Sequence, residues 1–284
     1  MNKTTIAPQL SGFITSIVRK SKAIATAPVL GSAIRFPNGP FQFQVKLTEG
    51  CAYDIQASSD IRNWSSVNSG EADSDSVDYI DSDTSKFSFR FYRALCGELV
   101  SKNILGYATV TLPPGFSMIA NPFNAASNTV ADLFPNMAEG TTLCKFDTSL
   151  FRLTNNIVKG GEWTKGKETL IPGEGAIIFN PTTEFKTLSF VGEVNQGRLL
   201  NPIPAGLSIR SSLVPQAGKL SPDLEFPFAD GDVIHLFDRD QQKYVVYPFS
   251  ASEWEKNPPS VGVAESFWVG KTNPGNWDRD FPAA

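Results

Sequence analysis

The chain has 284 residues, of which 41 % are hydrophobic and 19 % are charged, so it can bury a sizeable core and is less charged than an average soluble domain, at roughly 25 %. With 22 Gly, 20 Pro and 21 Phe, the composition favours a turn-rich β structure over a helical one. The net charge of −4 argues against a nucleic-acid partner, and no apolar run approaches the roughly 18–20 residues of a membrane span.

Residues 1–30 are predicted to form a basic N-terminal arm. Within it, residues 13–18 are mostly apolar or β-branched, and several basic residues follow them. A segment of this kind can add a strand to an open sheet edge of another subunit, although an arm folded back on its own chain is the alternative. The predicted assembly residues are Phe13, Ile14, Ile17, Val18, Arg19, Lys20 and Lys22.

Charge is divided unevenly along the chain. Residues 1–48 contain six basic and no acidic residues, whereas residues 49–85 contain nine acidic residues and one basic residue, Arg62. This polarity predicts that the arm is steered toward the acidic segment; the alternative is a solvated tail beside an acidic face. Because Ca²⁺ prefers oxygen ligands, Asp73, Asp75 and Asp78 are candidate calcium ligands, with a solvated loop as the alternative.

Residues 31–98 are predicted to form a small antiparallel β-sandwich. Residues 41–47 alternate apolar and polar side chains, which is typical of a strand with one buried face. Further strands are predicted around residues 53–57, 77–80 and 87–93. Cys51 and Cys96 lie at the ends of predicted strands, so both a disulfide bond and two buried thiols remain open at this point.

The remaining chain contains an internal repeat, which predicts two β units at residues 105–196 and 197–284. Gly115 and Gly206 occupy equivalent positions 91 residues apart, and the pair Glu162-Trp163 recurs as Glu253-Trp254 at the same offset. Residues 175–179 align with residues 265–269 at an offset of 90. A short helix is predicted over residues 129–134, with Asn128 as its N-cap.

Little in the sequence points to catalysis. His235 is the single histidine and its repeat counterpart is Cys144, so neither a histidine-based nucleophile nor a metal site with three or four such ligands can be assembled. Glu162 and Glu253, each beside a tryptophan, allow a carboxylate-based hydrolase as a third hypothesis. Because duplicated residues favour a structural role, we predict no catalytic residue and no cofactor.

The tryptophans suggest a second class of function. Trp277, Trp163 and Trp254 are candidate platforms for stacking a glycan, and Trp277 is expected to be the most exposed because turn residues precede it. The alternative is that these rings fill equivalent places in the cores of the repeats.

Residues 53–64 (Y-D-I-Q-A-S-S-D-I-R-N-W), the triplet at 81–83 (D-S-D) and residues 90–94 (R-F-Y-R-A) together resemble a small β module. This module ends many large exported proteins of verrucomicrobial and planctomycete type bacteria. The resemblance covers about 60 residues, and the repeats look like uncharacterised segments from the same bacteria. It implies an extracellular or cell-surface β protein without a known enzymatic role, although the first ten residues lack the apolar region of a secretory signal.

The sequence therefore predicts an all-β protein with an arm, a sandwich and a tandem duplicated unit of about 90 residues. The leading hypothesis is a non-enzymatic structural subunit that assembles with copies of itself into a filament, sheath or surface layer, because head-to-tail contacts that do not close give open polymers. The alternative hypothesis is a carbohydrate-binding or adhesive module whose partner is a glycan.

Overall fold

The computed structural model describes residues 24–36, 39–255 and 257–281. All seven predicted assembly residues of the arm lie outside this part of the chain. The described residues form antiparallel sheets with one short helix, which confirms the all-β prediction. No helix among them is long and apolar enough to cross a membrane.

The first third of the chain forms eight strands and one 3-10 turn (Asp83–Lys86). The strands are β1 (Val29–Arg35), β2 (Phe41–Lys46), β3 (Ala52–Ser58), β4 (Ser65–Glu71), β5 (Ser76–Asp81), β6 (Phe89–Cys96), β7 (Leu99–Val100) and β8 (Leu105–Leu112).

The next elements belong to the first predicted repeat. They are β9 (Gly115–Ile119), α1 (Val130–Leu133), β10 (Thr142–Asp147), β11 (Arg152–Lys159), β12 (Glu162–Trp163), β13 (Ala176–Asn180) and β14 (Lys186–Glu193). The second predicted repeat contains β15 (Gly197–Leu199), β16 (Pro202–Ile203), β17 (Gly206–Arg210), β18 (Gly218–Lys219), β19 (Val233–Asp238), β20 (Lys243–Ser250), β21 (Glu253–Trp254), β22 (Ser260–Val261), β23 (Phe267–Lys271), β24 (Gly275–Asn276) and β25 (Arg279–Phe281).

A six-stranded sheet, with the main order β14-β8-β6-β3-β4 and β7 beside β6, lies in the middle of the N-terminal half and is buried on both faces. Successive side chains of a strand point to opposite faces, so Tyr92 of β6 packs with Phe41 and Phe43 beneath the sheet β1-β2-β5. Phe91, its neighbour in β6, packs on the other side with Phe123 of the first repeat.

Strands from both sides of the predicted boundary between residues 31–98 and 105–196 belong to one sheet. Both β8 and β14 belong to the first predicted repeat, yet β8 pairs with β6 and β14 completes the same sheet. The turn after β6 resembles a linker in sequence, but β6 would be left with an unpaired edge if β8 did not return alongside it. The sandwich and the first repeat therefore share one sheet, which has a separate apolar cluster on each face.

A disulfide joins Cys51 and Cys96, whose Cα atoms are 5.7 Å apart. Cys51 immediately precedes β3 and Cys96 ends β6, and these two strands are neighbours in the six-stranded sheet. Of the two alternatives left open by the sequence, the structure therefore has the bond. The third cysteine, Cys144, is a half-buried free thiol whose pKa is raised by burial.

The two repeats contain five-stranded sheets with the same order: β12-β11-β10-β13-β9 in the first and β21-β20-β19-β23-β17 in the second. Each strand of the second sheet begins 91 residues after its counterpart, as Gly115 and Gly206 illustrate. The predicted offset of 90 for residues 175–179 is off by one, because β13 and β23 begin at Ala176 and Phe267. This shared order is what the duplication hypothesis predicts.

The predicted helix is shorter than expected and has a different cap. The helix α1 begins after Thr129, whose hydroxyl accepts a hydrogen bond from the N–H of Asp132 and donates one to its carboxylate. Asn128, the predicted cap, instead accepts hydrogen bonds from Asn121 Nδ2 and the N–H of Ala125. The prediction failed because both Asn128 and Thr129 are good caps and the loop uses Asn128 elsewhere.

Candidate functional site

The most distinctive feature for recognition is the free edge of β14, the outermost strand of the six-stranded sheet. At its end, the N–H and C=O of Glu193 both bond to Asn124, outside the sheet. Backbone groups alternate in direction along an antiparallel strand, so the N–H and C=O groups of Thr187, Ser189 and Val191 also point outward. Among the described residues, no hydrogen bond reaches these six backbone groups.

A groove runs along this edge, and we call it the β14 groove. Its first half, about 630 Å³, lies between β1 and the residues that precede α1, and its second half, about 450 Å³, continues toward the start of β14. Leu133 and Ser189 line both halves, so the two are continuous. Small side chains dominate the first half, where the walls include Gly31, Ser32, Ala33, Ala125, Ala126 and Ser127.

The two ends of the β14 groove have opposite charge. Asp132 and Glu193 line the first half, whereas Arg35 and Lys186 line the second. Hydrogen bonds from Ser127 and Thr129 lower the pKa of Asp132, which keeps this carboxylate ionised. An extended segment with basic residues at one end would therefore meet a complementary charge only in one direction.

A second feature, the aromatic junction, lies where the two five-stranded sheets meet. It consists of Phe146, Phe151, Phe237, Tyr244 and Trp268. The ring centroids of Phe146 and Trp268 are 4.9 Å apart, and the Nε1–H of Trp268 donates to the hydroxyl of Tyr244 at 3.1 Å. Phe151 is 68 % exposed and Tyr244 is 41 % exposed. The buried part of the same junction packs Met118, Ile177 and Ile209 together.

The expectation that Trp277 is the most exposed of the candidate platform residues is wrong. Trp277 is only 1 % exposed, and its Nε1–H donates to the C=O of Leu224 at 2.7 Å inside the core of the second repeat. Turn residues precede Trp277, but Phe226 and Phe267 pack against its ring. Trp163 and Trp254 are half-buried and pack against the cores of their own repeats, which agrees with the alternative interpretation of these rings.

The candidate calcium ligands do not converge on one point. Asp73 and Asp75 are exposed in the loop between β4 and β5, whereas Asp78 lies on β5 and accepts a hydrogen bond from Gln44. Within residues 24–36, 39–255 and 257–281, no group of three or more His, Cys, Asp or Glu side chains is arranged to hold a metal ion. The acidic residues therefore make this face negatively charged but do not form a metal-binding site.

The other candidate residues are placed as follows. Glu162 and Glu253 are exposed on β12 and β21, at the outer edges of two different sheets. His235 is half-buried on β19, and burial lowers its pKa. Its cross-strand neighbours are Val246 and Trp268.

Residues that carry the family resemblance make contacts that stabilise the fold. The carboxylate of Asp81 is buried and accepts hydrogen bonds from the guanidinium of Arg90 and the hydroxyl of Tyr92. Burial, followed by the bond to Asp81, raises the pKa of Tyr92. Asp60 accepts bonds from Arg62 and Asn63 in the turn before β4. The motif thus explains the sandwich and leaves the β14 groove unexplained.

Comparison with known proteins adds no family to these observations. No family model matches the chain, and no curated protein is significantly similar to it. The functional argument therefore rests on the open edge of β14, its groove and the aromatic junction.

Proposed function

We propose that the protein is a non-enzymatic structural subunit that assembles with copies of itself by strand addition. The observation that carries this proposal is the outer edge of β14, where three residues present N–H and C=O groups to a groove and bond to no other residue that the structure describes. Long open edges are pairing sites unless they are blocked, and an added strand satisfies their backbone groups. Residues 13–18 supply a segment with the composition of a strand.

The test compares the full chain with a version that lacks residues 1–23. This deletion is preferable to one of 30 residues because Leu30 is part of the buried core. We expect the full chain to form particles larger than a dimer in light scattering and negative-stain electron microscopy, and the shortened chain to remain monomeric. Equal monomeric mass for both proteins would overturn the proposal.

A matched pair of full-length variants separates the role of the apolar segment from that of chain length. The variant Phe13→Asp/Ile17→Asp should behave like the deletion, because charged side chains disfavour burial of the added strand. The control Thr4→Asp/Thr5→Asp makes the same change in charge outside this segment and should assemble like the native chain. Assembly of both variants would contradict the proposal.

The second candidate function is binding of a glycan or of another planar apolar surface at the aromatic junction. It is favoured by the exposed rings of Phe151 and Tyr244 beside Trp268, since exposed aromatic patches mark interaction sites. Glycan-array binding that is lost in Tyr244→Ala and kept in Trp163→Phe would support it. Absence of binding by the native chain to any glycan of the array would exclude this candidate.

A further inference from the structure

The β14 groove has the geometry of an acceptor site, and we propose that it binds residues 13–17 of a second copy of this chain as a parallel strand, with the basic residues that follow them at the acidic end of the groove. This inference rests on the proposed function and adds the acceptor strand, the direction and the register. It is argued below from the length of the free edge, from the charge at the two ends of the groove and from the course of the chain at residue 24.

The free edge and the segment match in length. The outward-facing backbone groups extend from Thr187 to Val191, and the adjoining groups of Glu193 are taken by Asn124. Five residues of an added strand therefore fit before Asn124 closes the edge. Residues 13–17 are five residues without Gly or Pro, in which Phe13, Ile14 and Ile17 are apolar.

Charge selects the direction of the added strand. Arg19, Lys20 and Lys22 follow the apolar segment, and the acidic end of the groove lies beside Glu193. A parallel strand with Phe13 beside Thr187 places Ile17 beside Val191 and the basic residues at this acidic end. An antiparallel strand would place the same cations near Arg35 and Lys186, where like charges repel.

The course of the chain favours a second copy over the chain's own groove. The N–H of Thr26 donates to Thr48, and the C=O of Pro28 accepts from Lys102, so the chain that enters β1 continues along the line of that strand. Ile24, at the far end of this line, is 91 % exposed. A return to its own β14 would need a reversal of the chain within residues 19–24, in which Ser21 is the single common turn residue.

Proline variants of the full chain test the acceptor edge. Ser189→Pro removes an outward N–H and leaves the bonds between β14 and β8 intact, because proline is tolerated at outward positions of edge strands. We expect the fraction of assembled protein in light scattering to fall at least tenfold. Ser69→Pro is the matched control: Ser69 is an exposed serine at an outward position of β4, the opposite edge of the same sheet, and this variant should assemble normally.

Cysteine cross-linking tests the partner and the direction independently. In a Cys144→Ser background, a chain carrying Ile17→Cys is mixed with a differently tagged chain carrying either Val191→Cys or Thr187→Cys, and disulfides are separated on a non-reducing gel. Parallel addition predicts a mixed dimer with Val191→Cys and several-fold less with Thr187→Cys. The reverse preference would overturn the direction, and no mixed dimer in either case would overturn the site.

The outcomes distinguish this inference from the proposed function. If deletion of residues 1–23 abolishes assembly while Ser189→Pro assembles like the native chain, the arm mediates assembly but β14 is not its acceptor. If the deletion changes nothing, the proposed function itself fails. If both proline variants fail to assemble, the cross-linking result decides, because it uses chains with unaltered strand edges.

Discussion

At the scale of single residues, the structure buries Trp277, the tryptophan that the sequence predicts to be the most exposed. Trp277 is surrounded by Phe226 and Phe267 at centroid distances of 4.9 and 6.0 Å. Phe151, which no motif singled out, is one of the most exposed rings of the described chain. Neighbouring turn residues say little about exposure when separate segments pack over them.

This difference gives a stability prediction. Trp277→Ala should lower the free energy of unfolding by about 3–5 kcal/mol, because it empties a core position and removes the hydrogen bond to Leu224. Phe151→Ala should lower it by about 1 kcal/mol or less, because the ring is largely in solvent already. Urea unfolding of the two variants measures both values, and equal losses would contradict the placement of Trp277.

The second repeat contains a buried ion pair between Asp232 and Lys271. Burial alone would raise the pKa of Asp232, but hydrogen bonds from Lys271 and from the N–H groups of Thr272 and Ala229 lower it below its ordinary value. The charged form is therefore favoured by folding. Its contribution to stability is present above the unfolded pKa of about 4 and is lost as the pH falls below it.

Asp232→Asn should therefore lower the free energy of unfolding at pH 7 by about 3–5 kcal/mol, because it leaves the charge of Lys271 buried without a partner. The difference from the native chain should shrink below about pH 4, which thermal melts across pH measure. The equivalent positions of the first repeat hold Thr141 and Asn180, so the double variant Asp232→Thr/Lys271→Asn is expected to recover most of the loss. A pH-independent difference would refute the assignment.

At the scale of elements, the alternation of apolar and polar residues predicts a strand well when one face of that strand is buried. The strand β2 matches the prediction for residues 41–47 because its side chains alternate between the core and the surface. The sequence does not predict the polar strand β4, because Val67 is the one large apolar residue among its seven. The position of β4 is set by its pairing with β3. Exposed edge strands of this kind have no hydrophobic periodicity to detect.

The disulfide supports a prediction at the same scale. Cys51 and Cys96 are 45 residues apart in sequence, and cross-linking positions this distant restricts the unfolded chain. Cys51→Ser/Cys96→Ser should lower the free energy of unfolding by about 2–4 kcal/mol. Urea denaturation under matched conditions tests this, with Cys144→Ser as a control that should leave the midpoint nearly unchanged. An unaltered midpoint in the double variant would show that the bond contributes little.

Gly115 of the repeat motif cannot be replaced by a larger residue without strain, because of its backbone conformation and of a neighbouring side chain. Gly115 has a φ of +92°, and a Cβ atom there would come within 2.7 Å of Gln242 Oε1. The Gln242 side chain bonds to both the N–H and the C=O of Phe116, at 2.8 and 2.9 Å, and so occupies the outer edge of β9. The edge of β9 is thus blocked by a side chain of the second repeat, in contrast to the edge of β14.

At the scale of the whole molecule, the two halves are held together differently. The sandwich and the first repeat share a sheet with an apolar cluster on each face, whereas the second repeat has a further cluster of its own. The second repeat meets the first at the small cluster of Met118, Ile177 and Ile209, and it also contributes Val214 and Ala264 to the core of the first repeat. We therefore expect Ile209→Asp, which places a charge in the smaller of these two contacts, to loosen the second repeat, so that calorimetry shows a low-temperature shoulder where the native chain shows a single transition. Ile34→Asp, on an exposed side chain, is the control and should keep a single transition.

The sequence could predict the all-β class because this class depends on local patterns of composition and of alternating apolar and polar residues. It could not predict that β8 and β14 join the sandwich, since their pairing connects residues 105 and 193 and leaves no mark in the composition of either strand. The candidate site shares this limitation. The arm stays a prediction from the composition of residues 1–30, whereas the β14 groove exists only after three separate segments have come together.

The shared central sheet has a consequence for biosynthesis. Because β14 is the last strand to join it, a nascent chain that has left the ribosome only as far as residue 112 exposes the unpaired edge of β8 and the apolar face around Phe91. Residues 31–98 therefore do not contain all the strands of this sheet, because β8 and β14 lie outside them. When this segment is expressed alone it should aggregate, and the shortest soluble fragment should extend past residue 193.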